Sequence, residues 1–196
     1  ICTVNGFYKA LFPLAKAIFG ILYPRRRNVC FPLPEGAAIV CVNHSHAIDP
    51  VLVALTVGIR NPLHFMAKQE LSGNRLVSFF LKKVGVFFVN RGGQDIGAIK
   101  TAMTLLKKGE KIGIFPEGTR VPENTSVAAK TGAVRIAMRT KAPLVPVYVS
   151  TRKKPFKPLD VVVGEPYYVS EDDDLSEQTE KLMEKIYALD PGRDDG

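Results

Sequence analysis

The sequence predicts an α/β domain on a mostly parallel sheet flanked by helices, preceded by an amphipathic amino-terminal helix or helix pair. Three observations carry this. Short β-rich runs alternate with longer stretches of helical period, the pattern of parallel strands joined by crossover helices. The 196 residues make one domain of ordinary size, and neither an internal repeat nor a low-complexity tract divides them. With 46% hydrophobic and 23% charged residues, the composition is that of a packed globular chain, which argues against a disordered or multi-pass membrane protein.

Between residues 6 and 24, Phe7, Leu11, Leu14, Ile18 and Leu22 follow a helical period, and Tyr8, Phe12, Phe19 and Tyr23 widen that face. Lys9, Pro13, Lys16 and Gly20 form a narrow stripe opposite, and Pro13 is expected to kink the helix or split it in two. The run is slightly short for a membrane span and carries two lysines. A signal peptide would place its charges before the apolar core, whereas Arg25, Arg26 and Arg27 follow it. An interfacial helix, with the arginines meeting anionic head groups, fits better than a helix that only packs on a core. Residues 1–27 are therefore read as a membrane-anchoring segment. Its contacts are Phe7, Leu11, Phe12, Ile18, Phe19, Leu22, Arg25, Arg26 and Arg27, and the main domain covers 35–190.

After the turn-rich Pro32-Leu33-Pro34-Glu35-Gly36, strands are expected over 37–42, 63–66, 86–89, 111–115 and 144–149. The runs 161–163 and 167–169 read as a late strand or two. Helices are expected over 50–57, 69–84, 94–108 and 128–139, with an acidic surface helix from about 174 to 188.

Charge divides unevenly along this order. The chain has 27 basic and 19 acidic side chains, a net charge of +8. Residues from Ser170 onward carry −7, so the body before them carries +15. A body that basic calls for an anionic partner: phosphate-bearing ligands, a nucleic acid or a membrane surface. Cys2, Cys30 and Cys41 form no C-x-x-C pair, which argues against a disulfide scaffold or a structural zinc site.

In a parallel sheet, ligands bind beyond the carboxyl ends of the strands, so polar residues that follow strands are the candidates for chemistry. Here they are Asn43-His44, Lys68, Asn90-Arg91 and Glu117-Gly118-Thr119-Arg120. His44 and Asp49, five apart, meet only if the chain turns after the strand and Asp49 opens the next helix. Asp49 followed by Pro50 suits an N-cap and a first helical position. A carboxylate on one ring nitrogen fixes the tautomer and makes the other a general base; alternatively Asp49 only caps the helix. Arg91, followed by Gly92 and Gly93, and Arg120 with Lys68 could neutralise a phosphate through forked, charge-assisted bonds. His44 and His46 form an H-x-H pair, but His64 is the single further histidine and no cysteine cluster lies nearby, fewer ligands than a binuclear hydrolase site needs. No nucleotide-binding glycine motif and no G-x-S-x-G elbow occurs, and Ser45 lacks a base partner of its own.

The order His44-x-x-x-x-Asp49, Gly85 to Arg91, Phe115-Pro116-Glu117-Gly118-Thr119-Arg120, and a proline-containing apolar strand (Pro143 to Val147) resembles the glycerolipid acyltransferases. The likeness spans roughly residues 7 to 170, and Phe65-Met66-Ala67-Lys68 is similar to a family segment carrying a substrate lysine. Gln69 and Asn90 stand where the family often has acids. The resemblance implies direct transfer of a fatty acyl group from acyl-CoA or acyl carrier protein to a lysophosphatidic acid, without a cofactor or an acyl-enzyme. It implies His44 as general base, Asp49 as its orienting partner, and Lys68, Arg91 and Arg120 as phosphate ligands. Glu117, Gly118 and Thr119 would shape and anchor the glycerol site, and Pro143 and Pro146 would lie near the acyl chain. A peripheral or monotopic enzyme at the cytoplasmic face of an anionic membrane is then expected. Acylation of glycerol 3-phosphate or another lysophospholipid is the nearest alternative. A non-catalytic basic module on a membrane or nucleic acid is the alternative of another class. No nucleic acid is expected, because the aromatic residues fall in the amino-terminal helix and apolar strands rather than on a basic face.

Overall fold

The computed structural model describes residues 6–29, 31–69, 73, 75–89, 96–122, 125 and 127–192. In chain order the elements are α1 (Gly6–Leu22), β1 (Arg25–Val29), β2 (Ala38–Val42), α2 (Asp49–Val57), β3 (Leu63–Lys68), α3 (Arg75–Lys83) and β4 (Phe87–Val89). They continue with α4 (Ile96–Lys107), β5 (Lys111–Ile114), α5 (Gly132–Thr140), β6 (Leu144–Val149), β7 (Leu159–Val163) and α6 (Leu175–Tyr187). One seven-stranded sheet runs in the order β1-β7-β6-β2-β5-β3-β4. Strands β2 to β6 are mutually parallel; β7 is antiparallel to β6, and β1 lies parallel to β7 at the edge.

Strand β2 sits at the centre, and all five of its residues are buried, as an unbroken Ala-Ile-Val-Cys-Val run requires of a strand covered on both faces. Its alternate side chains feed two cores. Ile39 and Cys41 pack with α4, α5 and α6, whereas Ala38, Val40 and Val42 pack with α2 and with Phe19 and Tyr23 at the end of α1. The result is three layers, with the carboxyl ends of the five parallel strands along one rim.

Four sequence expectations need correction. Pro13 does not divide the amino-terminal helix, since α1 runs unbroken through it. Arg25, Arg26 and Arg27, expected as a basic cluster trailing the helix, are part of an edge strand: they form β1 and pair in register with Leu159, Asp160 and Val161. Strand pairing thus draws into the sheet a segment whose charge had suggested surface, and Nε and Nη1 of Arg25 are shut off from solvent. Helix α5 starts at Gly132 rather than at 128, because Lys130 N–H donates to Pro116 O at 2.7 Å and holds the preceding residues against the β5 loop. Of the run 167–169, Tyr167 alone bridges, exchanging backbone bonds with Leu144.

Helix α1 uses both of its sides. Tyr8 is buried and Phe19 packs on the second core, with Leu11, Phe12 and Leu22 half-buried. Phe7, Leu14, Ile18 and Ile21 form an exposed apolar stripe, Ile21 at 69%. Among the described residues, no helix is long and apolar enough to cross a membrane.

Candidate active site

The central strand ends in a device that lets the chain turn away. Strand β2 pairs with β6 as far as Val42 opposite Val147. The Asn43 side chain then serves the groups further along β6: its carboxamide oxygen accepts from Val149 N–H at 2.7 Å, and its Nδ2 donates to Val149 O at 2.9 Å. Asn43 is 1% exposed, so these bonds keep β6 satisfied while the main chain leaves the sheet.

The turn that follows is organised by one carboxylate oxygen. Asp49 Oδ2 accepts from His44 Nδ1–H at 3.0 Å, Ser45 N–H at 2.9 Å and His46 N–H at 2.8 Å. This closes the five-residue separation that no helical face could close. The capping reading of Asp49 is thereby overturned: α2 begins at Asp49, its N-cap is Ile48 without a side-chain cap bond, and the carboxylate is committed to the loop before the helix. His44 stacks on Phe115 with ring centroids 4.0 Å apart, which fixes the plane of the imidazole. With Nδ1 held by Asp49, Nε2 is the nitrogen left for a reacting hydrogen, and the side chain is 13% exposed.

Two elements far along the chain complete the surroundings, and neither is apparent in the sequence. Lys153, on the loop after β6, has a side chain 2% exposed and places Nζ 2.9 Å from Asp49 Oδ1. It also donates to Ser45 Oγ and Ser150 O, each at 2.6 Å. Tyr187, at the end of α6, donates its hydroxyl to Glu117 Oε1, while His44 N–H donates to Glu117 Oε2 at 2.7 Å. Burial pushes the Asp49 carboxyl up, but the His44 bond, the Lys153 charge and the His46 N–H together outweigh it and hold it below 3.8. Burial pulls Lys153 below 10.5 despite Asp49. Burial likewise carries Glu117 above 4.5, partly offset by Tyr187 and His44.

The loop after β5 is brought to the same rim. Val121 N–H donates to His44 O at 2.7 Å, stitching the two strand-end loops together, and Thr119 and Arg120 stand exposed just before that bond. Gly118 has φ +68°, a backbone conformation that calls for glycine; a Cβ there would meet only the flexible end of the Lys130 side chain. Glu117, expected to shape a glycerol site, is buried with both oxygens engaged, and so it braces the His44 main chain. Of Lys68 the backbone alone is described, at the end of β3, and Arg91 lies outside the described residues. Pro143 and Pro146 are buried in and beside β6. A cavity of about 920 Å³ opens beside the dyad, between Val121, Pro122 and residues 127–131 on one side and α6 on the other. His44, Ser45 and Glu117 line one end; Val121, Val127, Ala128 and Met183 give it apolar walls, and neither Pro143 nor Pro146 lines it.

Residues 25–150 match the family model described as Acyltransferase. The chain is 39% identical over 170 residues to the 1-acyl-sn-glycerol-3-phosphate acyltransferase of Bacillus subtilis, covering 81% of this chain and 83% of that protein. It is 33% identical over 126 residues to the 1-acyl-sn-glycerol-3-phosphate acyltransferase of Borreliella burgdorferi, covering 63% of this chain and 46% of the relative. The crystal structure of the 1-acyl-sn-glycerophosphate (LPA) acyltransferase from Thermotoga maritima superposes with a TM-score of 0.71 at 22% identity, covering 96% of this chain and 81% of that one. That likeness establishes the same fold.

Proposed function

The chain belongs to the acyltransferase family, and from that premise we propose that it acylates the free hydroxyl of a 1-acyl-sn-glycerol 3-phosphate to give phosphatidic acid. The observation that carries the reading is the His44–Asp49 pair at 3.0 Å, with His44 lining one end of the cavity of about 920 Å³.

In this reading His44 Nε2 takes the hydroxyl proton as the acceptor oxygen attacks the thioester carbonyl. The tetrahedral intermediate then collapses, the C–S bond breaks, and the imidazolium returns its proton to the departing thiolate. Asp49 holds the ring in the required tautomer and stabilises the imidazolium. Proton transfer of this kind contributes about 10²–10⁴-fold, and holding both substrates together adds to it. Arg120, with Lys68 and Arg91 from neighbouring strand ends, receives the phosphate. Gly118 and Thr119 border the glycerol, and β6 around Pro143 and Pro146 backs the acyl chain from behind the cavity wall. The reaction is an acyl exchange that needs no redox or metal step. The donor is acyl-CoA or acyl carrier protein, both acidic partners for a body of +15. The exposed stripe Phe7, Leu14, Ile18 and Ile21 rests the enzyme peripherally on the cytoplasmic face of an anionic membrane.

Thiol release from a long-chain acyl-CoA is the test, with lysophosphatidate or glycerol 3-phosphate as acceptor, beside His44→Ala. Release that requires lysophosphatidate and is lost in the variant is expected. Release with glycerol 3-phosphate instead would move the enzyme one acylation step earlier. Absence of release with either acceptor and with acyl-CoA or acyl carrier protein as donor would overturn the reading.

A further inference from the structure

The His44–Asp49 pair does not stand alone: Lys153 is buried against it, and the catalytic reading above leaves this lysine without a task. The Lys153 ammonium donates to Ser45 Oγ and Ser150 O, each at 2.6 Å, and its charge lies 2.9 Å from Asp49 Oδ1 in a buried ion pair. The two Asp49 oxygens thus divide their work. Oδ2 shapes the 44–46 turn and receives the ring hydrogen, while Oδ1 is turned wholly to Lys153.

This arrangement addresses a problem of charge. A carboxylate sealed at 0% exposure beside an imidazole favours the imidazolium, and a histidine held as imidazolium at rest cannot take a proton from a substrate hydroxyl. A second cation on the far oxygen weakens that bias, because it satisfies the carboxylate before the imidazole is protonated. Few other groups compete. Glu117 approaches through the His44 main chain and is itself held by Tyr187, and His46 presents its backbone N–H to Asp49 with its ring exposed.

Resting on the general-base reading of His44, we propose that Lys153 is a positioning residue that acts through Asp49 to keep the resting imidazole available as a base at neutral pH, and to lock the turn that aims it. It touches neither substrate. Its reach from the β6 loop into the turn after β2 makes two distant segments converge on one carboxylate.

The experiment compares wild type with Lys153→Met and Lys153→Arg in the full chain. The first readout is the pH profile of kcat/KM for thiol release. The second is an NMR titration of the His44 imidazole in protein without substrates. In Lys153→Met the acid limb and the imidazole titration both move up by about one pH unit or more, and kcat at neutral pH falls about tenfold or more, with the acceptor KM changing far less. Lys153→Arg keeps both midpoints near the wild-type positions. Should the Met variant fail to fold, Lys153→Gln is read in its place, since it retains amide donors and lacks the charge. Unmoved midpoints in a folded uncharged variant would overturn the proposal, as would an Arg variant that shifts as far as Met. A wild-type enzyme without turnover would count against the function, whereas the imidazole titration judges the role of Lys153 separately.

Discussion

Replacing Asn43 by alanine isolates the bonds that let β2 end where it does. The substitution leaves Val149 N–H and Val149 O without the side chain that now meets them at 2.7 and 2.9 Å, at a site 1% exposed. Each buried backbone group left unmatched costs about 1–3 kcal/mol, so the pair costs about 2–6 kcal/mol. That is a large share of the roughly 5–15 kcal/mol that holds an average domain together. With a urea slope near 2 kcal/mol per molar, the unfolding midpoint should fall by about 1–3 M. Urea titration followed by circular dichroism measures this directly. Asn61→Ala is the control: its Nδ2 donates to Val57 O at 3.1 Å in a half-buried place at the end of α2, where water can replace it. That variant should lose about 1 kcal/mol or less. An Asn43→Ala midpoint no lower than that of Asn61→Ala would refute the reasoning. Turnover at temperatures where the variant stays folded should also fall, since the residue that begins the turn no longer anchors it.

Further outcomes are expected from the same contacts. Glu117→Gln keeps an acceptor for His44 N–H and can donate to the Tyr187 oxygen. The raised carboxyl of Glu117 means that its contribution is fully present below pH 4.5 and lost as pH rises through the folded-state value, so the variant should flatten that decline in a stability–pH series. An unchanged slope would argue that burial does not govern this group. Serine at Leu14, Ile18 and Ile21 together should weaken flotation with anionic vesicles several-fold while leaving the thermal midpoint within a few degrees, because these side chains are exposed. Retained flotation would show that the stripe does not meet lipid.

Much of this was readable from residue order, for reasons that also explain the rest. Strands β2, β5 and β6 stand out because a strand covered on both faces must be an unbroken apolar run. His44 and Asp49 are legible because the polar residue after such a run falls on the rim where substrates approach. The same rule extended past β6 leads to Ser150 and the Thr151-Arg152-Lys153-Lys154 stretch. Nothing in that run of bases marks which one turns inward, and burial of Lys153 is decided by a carboxylate more than a hundred residues away in sequence. Strand β1 is concealed by its own composition: Arg-Arg-Arg-Asn-Val has no apolar period, and its pairing is dictated by the free edge of β7. Tyr187 sits in an acidic tail whose charge suggested a solvated surface, yet α6 buries Thr179, Leu182 and Ile186 and carries the tyrosine to the site.

The pairing of β1 with β7 sets an order of assembly. α1 and β1 precede the central strands in the chain, yet their edge of the sheet exists only once β7 has been made and has turned back on β6. The central strands β2 to β6 draw their partners from one another and can consolidate without the arm. β1 can therefore pair in its native register only after β7 is available. Throughout that interval the helix carries apolar side chains on both of its sides in the open, where a bilayer or a chaperone can reach it. Deleting β7 should thus leave a soluble-phase core with a sticky arm, and holding the arm on lipid early would set where the finished domain comes to rest.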